Sequence, residues 1–275
     1  MENLYLFDAG ATKTALVYLR DGKRQELDLP AFNPNRMDKA FVKAMNENVD
    51  IGADANVFFY GSGLGTKANR DFVSTLFAQH SVKKLNIYDD IVGAARAAFN
   101  ESTGIICIMG TGGLAAYYDG KRIEKRRGGH GYLIDDLGGG FELGRRILSA
   151  WLNGDFSQQM SESIQKSLGY TEEELIYQVY QKGRIDLISN LSKMITSEIK
   201  EEKFMQILDH YFEEFIQQNI VPLSKEFHTD RFSIVGSLGT AYYRRIGDLA
   251  KSSELRIDQC IQSPVQRLFE FHLRY

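Results

Sequence analysis

The chain has 275 residues, of which 43% are hydrophobic and 25% charged, with two cysteines and a formal net charge of −3. This length can bury a large core and form two domains, and the composition is that of an ordinary globular protein. The slightly negative net charge gives no reason to expect nucleic acid as a partner, since nucleic acid usually binds to a basic surface. Two cysteines do not make a disulfide framework or a zinc site. No apolar stretch has the length of a membrane span, and no signal peptide is visible. We expect a cytoplasmic protein with small-molecule ligands, without nucleic-acid or membrane partners.

The first part of the chain alternates strands with helices. Strands are predicted at 4–8, 14–19, 24–29, 56–60 and 85–89, and helices at 38–48, 67–79 and 91–99. Three hairpin-linked strands followed by strand, helix, strand and helix are typical of an α/β domain with a mixed sheet.

The second part starts again with three strands and then becomes mostly helical. Strands are predicted at 105–109, 114–118, 121–125, 232–235 and 255–261, and helices between 141 and about 227, at about 238–251 and from 264. Thr171 and Glu174 have the spacing of a capping box. An apolar stripe from Phe204 to Ile216 follows a helical period and predicts a core-facing helix. The predicted domains are 1–102 and 103–275, the latter with a helical insertion at about 150–227.

The opening of the chain occurs twice. Asp8 to Thr14 forms a Gly/Thr turn between two apolar runs, and Met109 to Gly113 repeats this pattern. An Asp-Gly turn follows each copy, at Asp21 and at Asp119. Such hairpin turns expose backbone N–H groups that suit a phosphate, although ordinary hairpins also contain these residues. The repeat indicates two related half-domains that present phosphate loops to a shared cleft.

Two groups of carboxylates stand at strand ends. Asp8 closes the first strand and could hold Mg²⁺ through water, or act as a turn residue. Asp89 and Asp90 end a strand and precede an Ala-rich helix. One of these carboxylates can be explained as the N-cap of the helix, but the capping role does not explain the second. Because functional groups gather at the carboxyl ends of strands in open α/β sheets, Asp90 is a candidate general base.

Glycine is densest between Gly128 and Gly140, beside Asp135 and Asp136, and a helix follows. Helix N-termini attract anions and allow close approach of backbone to a ligand, which favours a binding segment over a flexible loop. Gly236-Ser237 is a further strand–Gly–helix junction that could carry the adenosine side of a nucleotide. Gly61 to Lys67 fails the Walker pattern, since Thr66 stands where glycine must precede lysine.

The order of these motifs resembles that of the actin–hexokinase superfamily over nearly the whole chain. More narrowly, the chain is similar to bacterial N-acetylglucosamine kinases of the BadF/BadG/BcrA/BcrD ATPase family. The motifs that carry the resemblance are Asp8–Thr14, Tyr88–Ala95, Met109–Gly113, Gly129–Gly140, Ile234–Ser237 and Ser263–His272. The resemblance implies an α/β protein with two ribonuclease-H-like, actin-like ATPase domains around a central nucleotide cleft.

The resemblance also implies roles for individual residues. Asp8 would hold Mg²⁺ and Asp90 would be the base on the sugar hydroxyl. The implied nucleotide-binding residues are Gly10, Ala11, Thr12, Lys13, Thr111, Gly112, Gly236 and Ser237. The implied sugar-binding residues are Asn33, Asp90, Thr111, His130, Gly131 and Asp136. The predicted activity is ATP- and Mg²⁺-dependent phosphorylation of N-acetylglucosamine or a related amino sugar, by a monomer or a homodimer.

Two residues depart from the family pattern on the sugar side. Leu114 stands where the family commonly has Asn, and Leu137 stands where it has Glu. These changes leave open a catalytically degenerate relative that binds nucleotide or sugar without turnover. A third interpretation is an ATPase that activates a redox enzyme through an iron–sulfur cluster. Cys107 and Cys260 lie in apolar strands, where we expect buried thiols rather than cluster ligands.

Overall fold

The computed structural model describes residues 3–34, 39–80, 82–193 and 201–274. These residues form two compact units. The first contains the chain up to Thr103, together with Asp119–Ile123 and the C-terminal segment from Ser263. The second contains Gly104–Tyr118 and Glu124–Gln262. The C-terminal segment therefore packs with the first unit, whereas the predicted division into two continuous ranges placed it with the second half.

The first unit is built on a five-stranded mixed sheet with the order β3-β2-β1-β4-β5. Its strands are β1 (Leu4–Ala9), β2 (Lys13–Arg20), β3 (Lys23–Pro30), β4 (Asn56–Gly61) and β5 (Lys84–Asp89). The first three strands pair antiparallel through hairpins, and β1, β4 and β5 run parallel. β1 is buried on both faces, as its nearly continuous apolar sequence predicts.

Helices pack on this sheet, and the predicted helices are present with small shifts at their ends. They are α1 (Lys39–Asn48), α2 (Lys67–Phe77), α3 (Asp90–Phe99) and the C-terminal helix (Val265–Arg274). The helix predicted at 67–79 ends its α-helical part at Phe77 and continues as a 3₁₀ turn over Ala78–His80. Asp38, the predicted start of α1, lies outside the described residues. The C-terminal helix contacts α3, β1 and β2, which explains its place in the first unit.

The second unit repeats this topology. Its strands are β6 (Gly104–Met109), β7 (Gly113–Tyr118), β8 (Ile123–Gly128), β9 (Arg231–Val235) and β10 (Arg256–Ile261). Their order, β10-β9-β6-β7-β8, is the order of the first sheet read from the opposite edge. β6 and β7 form the antiparallel hairpin, while β6, β9 and β10 are parallel. The duplication inferred from the two glycine-rich hairpins thus extends to a whole sheet.

The region between β8 and β9 is mostly helical, as predicted. Its helices are α4 (Gly140–Leu152), α5 (Gln158–Leu168), α6 (Glu172–Lys182), α7 (Asp186–Leu191), α8 (Glu202–Phe215) and α9 (Val221–Phe227), and α10 (Ser237–Ala250) follows β9. The predicted capping box of Thr171 and Glu174 is present at the start of α6. The apolar stripe of α8 is buried, and a π-helical turn over Ile216–Ile220 joins α8 to α9.

The predicted strand at 121–125 is shifted toward the C-terminus. Asp119 accepts hydrogen bonds on Oδ1 from the backbone N–H groups of Lys121 and Arg122, both at 2.7 Å. These bonds hold a turn, so β8 begins only at Ile123. None of the helices that the structure describes is both long and apolar enough to cross a membrane.

Candidate functional site

The carboxyl ends of three parallel strands lie side by side in the first unit. Ala9 at the end of β1 is in register with Gly61 of β4, and Gly61 is in register with Asp89 of β5. Asp8, the turn that begins at Gly10 and the pair Asp89-Asp90 therefore share one edge of the sheet. This is the edge at which ligands bind in open α/β sheets.

The first hairpin turn, Gly10–Lys13, is open to solvent. The Gly10 N–H donates to the Lys13 carbonyl at 2.9 Å, and Ala11, Thr12 and Lys13 are exposed. The Lys13 ammonium pairs with Asp28 at 2.8 Å, and both side chains are more than half exposed. An exposed turn with one internal backbone bond can receive an anion without displacing packed side chains.

Asp8 is a carboxylate in a largely apolar strand. Burial raises its pKa to about 6, and the charge of Lys13 opposes that shift. The hydroxyl of Thr14, at the other end of the turn, is buried and has no hydrogen-bond partner. Within the described ranges, no cluster of three or more His, Cys, Asp or Glu side chains forms a metal cage. Mg²⁺ needs no such cage, since one or two carboxylates and substrate phosphates suffice, so a desolvated Asp8 beside the turn fits this ion.

Asp89 and Asp90 differ in their positions at the start of α3. Asp89 occupies the N-cap position, but its side chain makes no capping hydrogen bond. Its carboxylate lies against the turn before α2, where a Cβ on Gly65 would sit 3.3 Å from Oδ2. Asp90 is the first residue of the helix and is half-buried. The capping interpretation therefore accounts for the position of Asp89 but not for its side-chain contacts. Asn33, the predicted sugar ligand of this unit, is half-buried in the loop after β3.

The second hairpin turn, Gly110–Gly112, is one residue shorter than the first, and it is also closed by a backbone hydrogen bond. The Gly110 N–H donates to the Gly112 carbonyl at 3.0 Å. In addition, the Gly140 N–H donates to the Gly110 carbonyl at 2.8 Å and the Phe141 N–H to the Thr111 carbonyl at 3.1 Å. These bonds join the turn to the first residues of α4.

Asp136 is connected to the same turn. Its Oδ1 accepts a hydrogen bond from the Gly113 N–H at 3.0 Å. Burial raises the pKa of Asp136 to about 6, and the Gly113 bond opposes this shift. The packing of the two segments is close, since a Cβ on Gly113 would lie 2.3 Å from the Gly138 carbonyl carbon and the Gly139 nitrogen. Thr111, Gly112 and Asp136 are therefore parts of one compact group.

His130 and Gly131 lie on a loop that projects from this group. The His130 N–H donates to the Asp135 carbonyl at 2.8 Å, and the two side chains approach to 3.3 Å. The tip of the loop is apolar and solvent-exposed, with Leu133 83% and Ile134 80% exposed. The His130 side chain is 57% exposed, so the structure places it at the surface of the unit.

Gly236 and Ser237 lie at the end of β9. The Gly236 N–H donates to the Ile261 carbonyl at 2.9 Å, and Gly236 has a φ of +126°. A Cβ at this position would meet the Met109 carbonyl oxygen at 2.5 Å, so close backbone approach requires glycine. Ser237 is the exposed first residue of α10. The Gly110 turn follows Met109, which places both predicted nucleotide segments at one edge of the second sheet.

The two leucines that depart from the family pattern are both buried. Leu114 is 8% exposed and packs against Gly129, where a Cβ would lie 2.7 Å from Leu114 Cδ2. Leu137 is 7% exposed and belongs to the apolar core of the second unit.

Of the two cysteines, Cys107 is buried, and its burial raises the pKa of the thiol. Cys260 is only half-buried, so the expectation of two buried thiols was wrong for this residue.

Sequence reasoning assigned Tyr211 to the apolar stripe of α8 and overlooked its hydroxyl. Tyr211 is fully buried, but its oxygen accepts from the Gly138 N–H at 2.8 Å and donates to the Gly139 carbonyl at 2.6 Å. A signal was available, because a buried tyrosine needs a partner for its hydroxyl. The partners could not be read from the sequence, since they lie more than seventy residues earlier in the chain.

Comparison with known proteins identifies the fold. No family model and no curated protein matches the sequence. A protein from Porphyromonas gingivalis with the provisional name N-acetylglucosamine kinase is 23% identical, with 100% of this chain and 99% of that chain covered and a TM-score of 0.84. A Chromobacterium violaceum protein with the same provisional name is 17% identical, with 98% and 99% covered and a TM-score of 0.73.

A more distant likeness extends to a ROK hexokinase from Thermus thermophilus. It is 12% identical, with 99% of each chain covered and a TM-score of 0.52. Likeness at these identities concerns the fold, and it agrees with the two five-stranded mixed sheets. The chain therefore has the two-domain, ribonuclease-H-like α/β fold of actin-like ATPases and sugar kinases.

Proposed function

We propose that this protein is an ATP- and Mg²⁺-dependent kinase that phosphorylates a hydroxyl of an amino sugar or a related sugar. We further propose that it is a relative of the N-acetylglucosamine kinases in the BadF/BadG/BcrA/BcrD family. The observation that carries the proposal is the carboxyl edge of the first sheet. There Asp8 and the open Gly10 turn lie at the end of β1, and Asp90 follows β5 on the other side of β4. A proposed metal ligand, a proposed phosphate loop and a candidate base thus share one edge of the sheet.

In the proposed reaction, Asp90 accepts the proton of the sugar hydroxyl. The hydroxyl oxygen then forms a bond to the γ-phosphorus of ATP, while the bond from that phosphorus to the β–γ bridging oxygen breaks and ADP leaves. A carboxylate at the first position of a helix can perform this task if it is ionised and within hydrogen-bond reach of the hydroxyl. Bound Mg²⁺ would neutralise phosphate charge, with Asp8 as its protein ligand.

The remaining predicted residues are assigned to binding. Backbone N–H groups of Gly10–Lys13 receive the phosphates, and Thr111 and Gly112 contribute from the second hairpin. The adenosine side is assigned to Gly236 and Ser237. The proposed sugar ligands are Asn33, His130, Gly131 and Asp136, with Asp136 as the carboxylate acceptor for sugar hydroxyls.

Substrate preference depends on the two leucines. A site that hydrogen-bonds a hydroxyl or amide binds weakly when an apolar residue replaces its polar partner. Both leucine side chains pack against protein groups, and neither supplies an amide or a carboxylate. We therefore propose that a sugar with fewer or different polar substituents is preferred over N-acetylglucosamine. The same observation favours the second candidate, a degenerate relative that binds ligand without turnover.

A coupled assay of ADP release across a panel of sugars tests the proposal. The panel contains N-acetylglucosamine, N-acetylmannosamine, glucosamine, glucose and mannose, each with and without Mg²⁺. Release that requires both a sugar and Mg²⁺ supports the kinase. Calorimetric binding without release supports the degenerate relative. Release that is independent of every sugar, together with iron in the purified protein, would support an ATPase activator instead.

A further inference from the structure

One face of α8 and the following π-helical turn is directed at the glycine segment that contains Asp136. Tyr211, Phe215 and Asn219 are spaced four residues apart and are all buried. Tyr211 bonds both to the Gly138 N–H, at 2.8 Å, and to the Gly139 carbonyl, at 2.6 Å. One hydroxyl therefore fixes two consecutive residues of the segment.

The other two residues of this face also contact glycines. Gly138 has a φ of +97°, and a Cβ there would lie 2.5 Å from the Phe215 ring. The Asn219 amide nitrogen lies 3.6 Å from the place of a Cβ on Gly128, the last residue of β8. The α8 face thus contacts the glycine segment near its beginning and near its end.

The position of Gly138 and Gly139 determines that of Asp136. The Gly139 N–H donates to the Asp136 carbonyl at 3.0 Å. The Asp136 carboxylate in turn accepts from Gly113, whose α-carbon packs against the Gly138–Gly139 peptide. A shift of this peptide would move both the carboxylate and the second hairpin turn.

We propose that Tyr211 is a positioning residue for the sugar site, and that it acts by holding the Gly138–Gly139 peptide so that Asp136 is directed at the sugar. This inference rests on the proposed function. Burial raises the pKa of Tyr211, so its hydroxyl remains protonated and can donate. The aromatic ring has a separate role, since the Arg146 guanidinium lies 5.1 Å from its centroid. Tyr211→Phe removes the hydroxyl and keeps the ring.

The test compares Tyr211→Phe with Tyr5→Phe. Tyr5 is a fully buried tyrosine of the first unit, and its hydroxyl donates to the Asp50 carbonyl at 2.8 Å. Both variants lose a buried hydroxyl that bonds to backbone. We expect Tyr211→Phe to raise the sugar KM about tenfold, because displacement of a positioned group has effects of this size or larger, while the KM for ATP changes less than about twofold. Tyr5→Phe is expected to leave both KM values unchanged.

Amide hydrogen exchange over residues 136–141 gives a second measurement that does not need activity. We expect Tyr211→Phe to speed exchange of the Gly138 amide at least about tenfold, since its acceptor is lost, and Tyr5→Phe to leave it unchanged. Unchanged Gly138 exchange overturns the proposal, as does an equal change in the sugar and ATP KM values or the same KM pattern in Tyr5→Phe. If the unaltered protein phosphorylates no sugar, the proposed function fails separately. In that case calorimetric sugar binding replaces KM, and equal sugar affinity of Tyr211→Phe and the unaltered protein overturns the positioning role.

Discussion

The two hairpin turns of this protein are each closed by a backbone hydrogen bond, but they differ in length and in surroundings. In the first unit, Ala11, Thr12 and Lys13 are exposed, and the side-chain ion pair of Lys13 is at the surface. In the second unit, the turn accepts two hydrogen bonds from the start of α4 and packs against glycine backbone. Duplicated topology has thus produced one open turn and one turn that is part of a packed group.

The two units also differ in the residues at the ends of equivalent strands. β5 ends at Asp89 and is followed by Asp90, whereas the topologically equivalent β10 ends at Ile261 and is followed by Gln262. The first unit carries the candidate base and the proposed metal ligand, and the second carries the half-buried Asp136. Substitutions of Asp8, Asp90 and the first turn should therefore change chemistry or phosphate binding, and substitutions around Asp136 should change stability or sugar binding.

The largest effect is expected at the candidate base. Asp90→Asn should lower kcat by about 10²–10⁴-fold, because an amide cannot accept the hydroxyl proton. ATP affinity, measured by calorimetry, should remain within about threefold of the unaltered protein. The control is Asp71→Asn, a substitution of a carboxylate with 62% side-chain exposure, which should leave kcat unchanged. Near-normal turnover by Asp90→Asn would exclude this residue as the base.

Alanine substitution of one glycine at each turn tests whether the second turn is more tightly packed than the first. Gly113→Ala places a Cβ 2.3 Å from backbone atoms of Gly138 and Gly139, while Gly10→Ala places one 3.2 Å from the Lys13 carbonyl oxygen. We expect Gly113→Ala to lower the free energy of unfolding by about 3 kcal/mol or more, and Gly10→Ala by less than about 1 kcal/mol. Urea titration measures both values, and equal losses would contradict the difference between the turns.

The half-buried carboxylate of Asp8 should make stability depend on pH. The pKa of Asp8 is raised from 3.8 to about 6 by burial, so the folded state favours the protonated form. Stability from this group is present below pH 3.8 and is lost as the pH rises through 6. Asp8→Asn should therefore increase the free energy of unfolding at pH 7.5 by about 1–3 kcal/mol, a gain that disappears toward pH 4.

The same substitution should weaken Mg²⁺ use, so the half-saturating Mg²⁺ concentration should rise while stability increases. In the unaltered protein, the half-saturating Mg²⁺ concentration should rise as the pH falls through 6, because protons compete with Mg²⁺ for Asp8. A variant that is less stable at pH 7.5 and has an unchanged Mg²⁺ requirement would refute the metal role.

The smallest effect on stability is expected at Lys13. Its ion pair with Asp28 has side-chain exposures of 59% and 64%, so Lys13→Met should change the free energy of unfolding by less than about 0.5 kcal/mol. Since its ammonium lies at the proposed phosphate turn, the KM for ATP should still rise several-fold. Lys67→Met, which removes another exposed pair, is the control and should leave this KM unchanged.

The sequence predicted most of the fold because its signals are local. Apolar strands, the Asp-Gly turns and the capping box of Thr171 each depend on neighbouring residues. The sequence also indicates carboxylates at strand ends, and the strand register places Asp8 and Asp89 at one edge. The bonds of Tyr211 to Gly138 and Gly139 join distant segments, so periodicity could show only that Tyr211 is buried. The start of β8 was misplaced because the two side-chain bonds of Asp119 compete with strand pairing.

Product analysis tests the central claim most directly. The protein is incubated with ATP, Mg²⁺ and the sugar that gives the fastest ADP release, and the sugar phosphate, ADP and inorganic phosphate are measured by mass spectrometry and colorimetric assay. The account predicts one sugar phosphate for each ADP, with little inorganic phosphate, and loss of both products in Asp90→Asn. ADP formed together with an equal amount of inorganic phosphate, whether or not sugar is present, would contradict it.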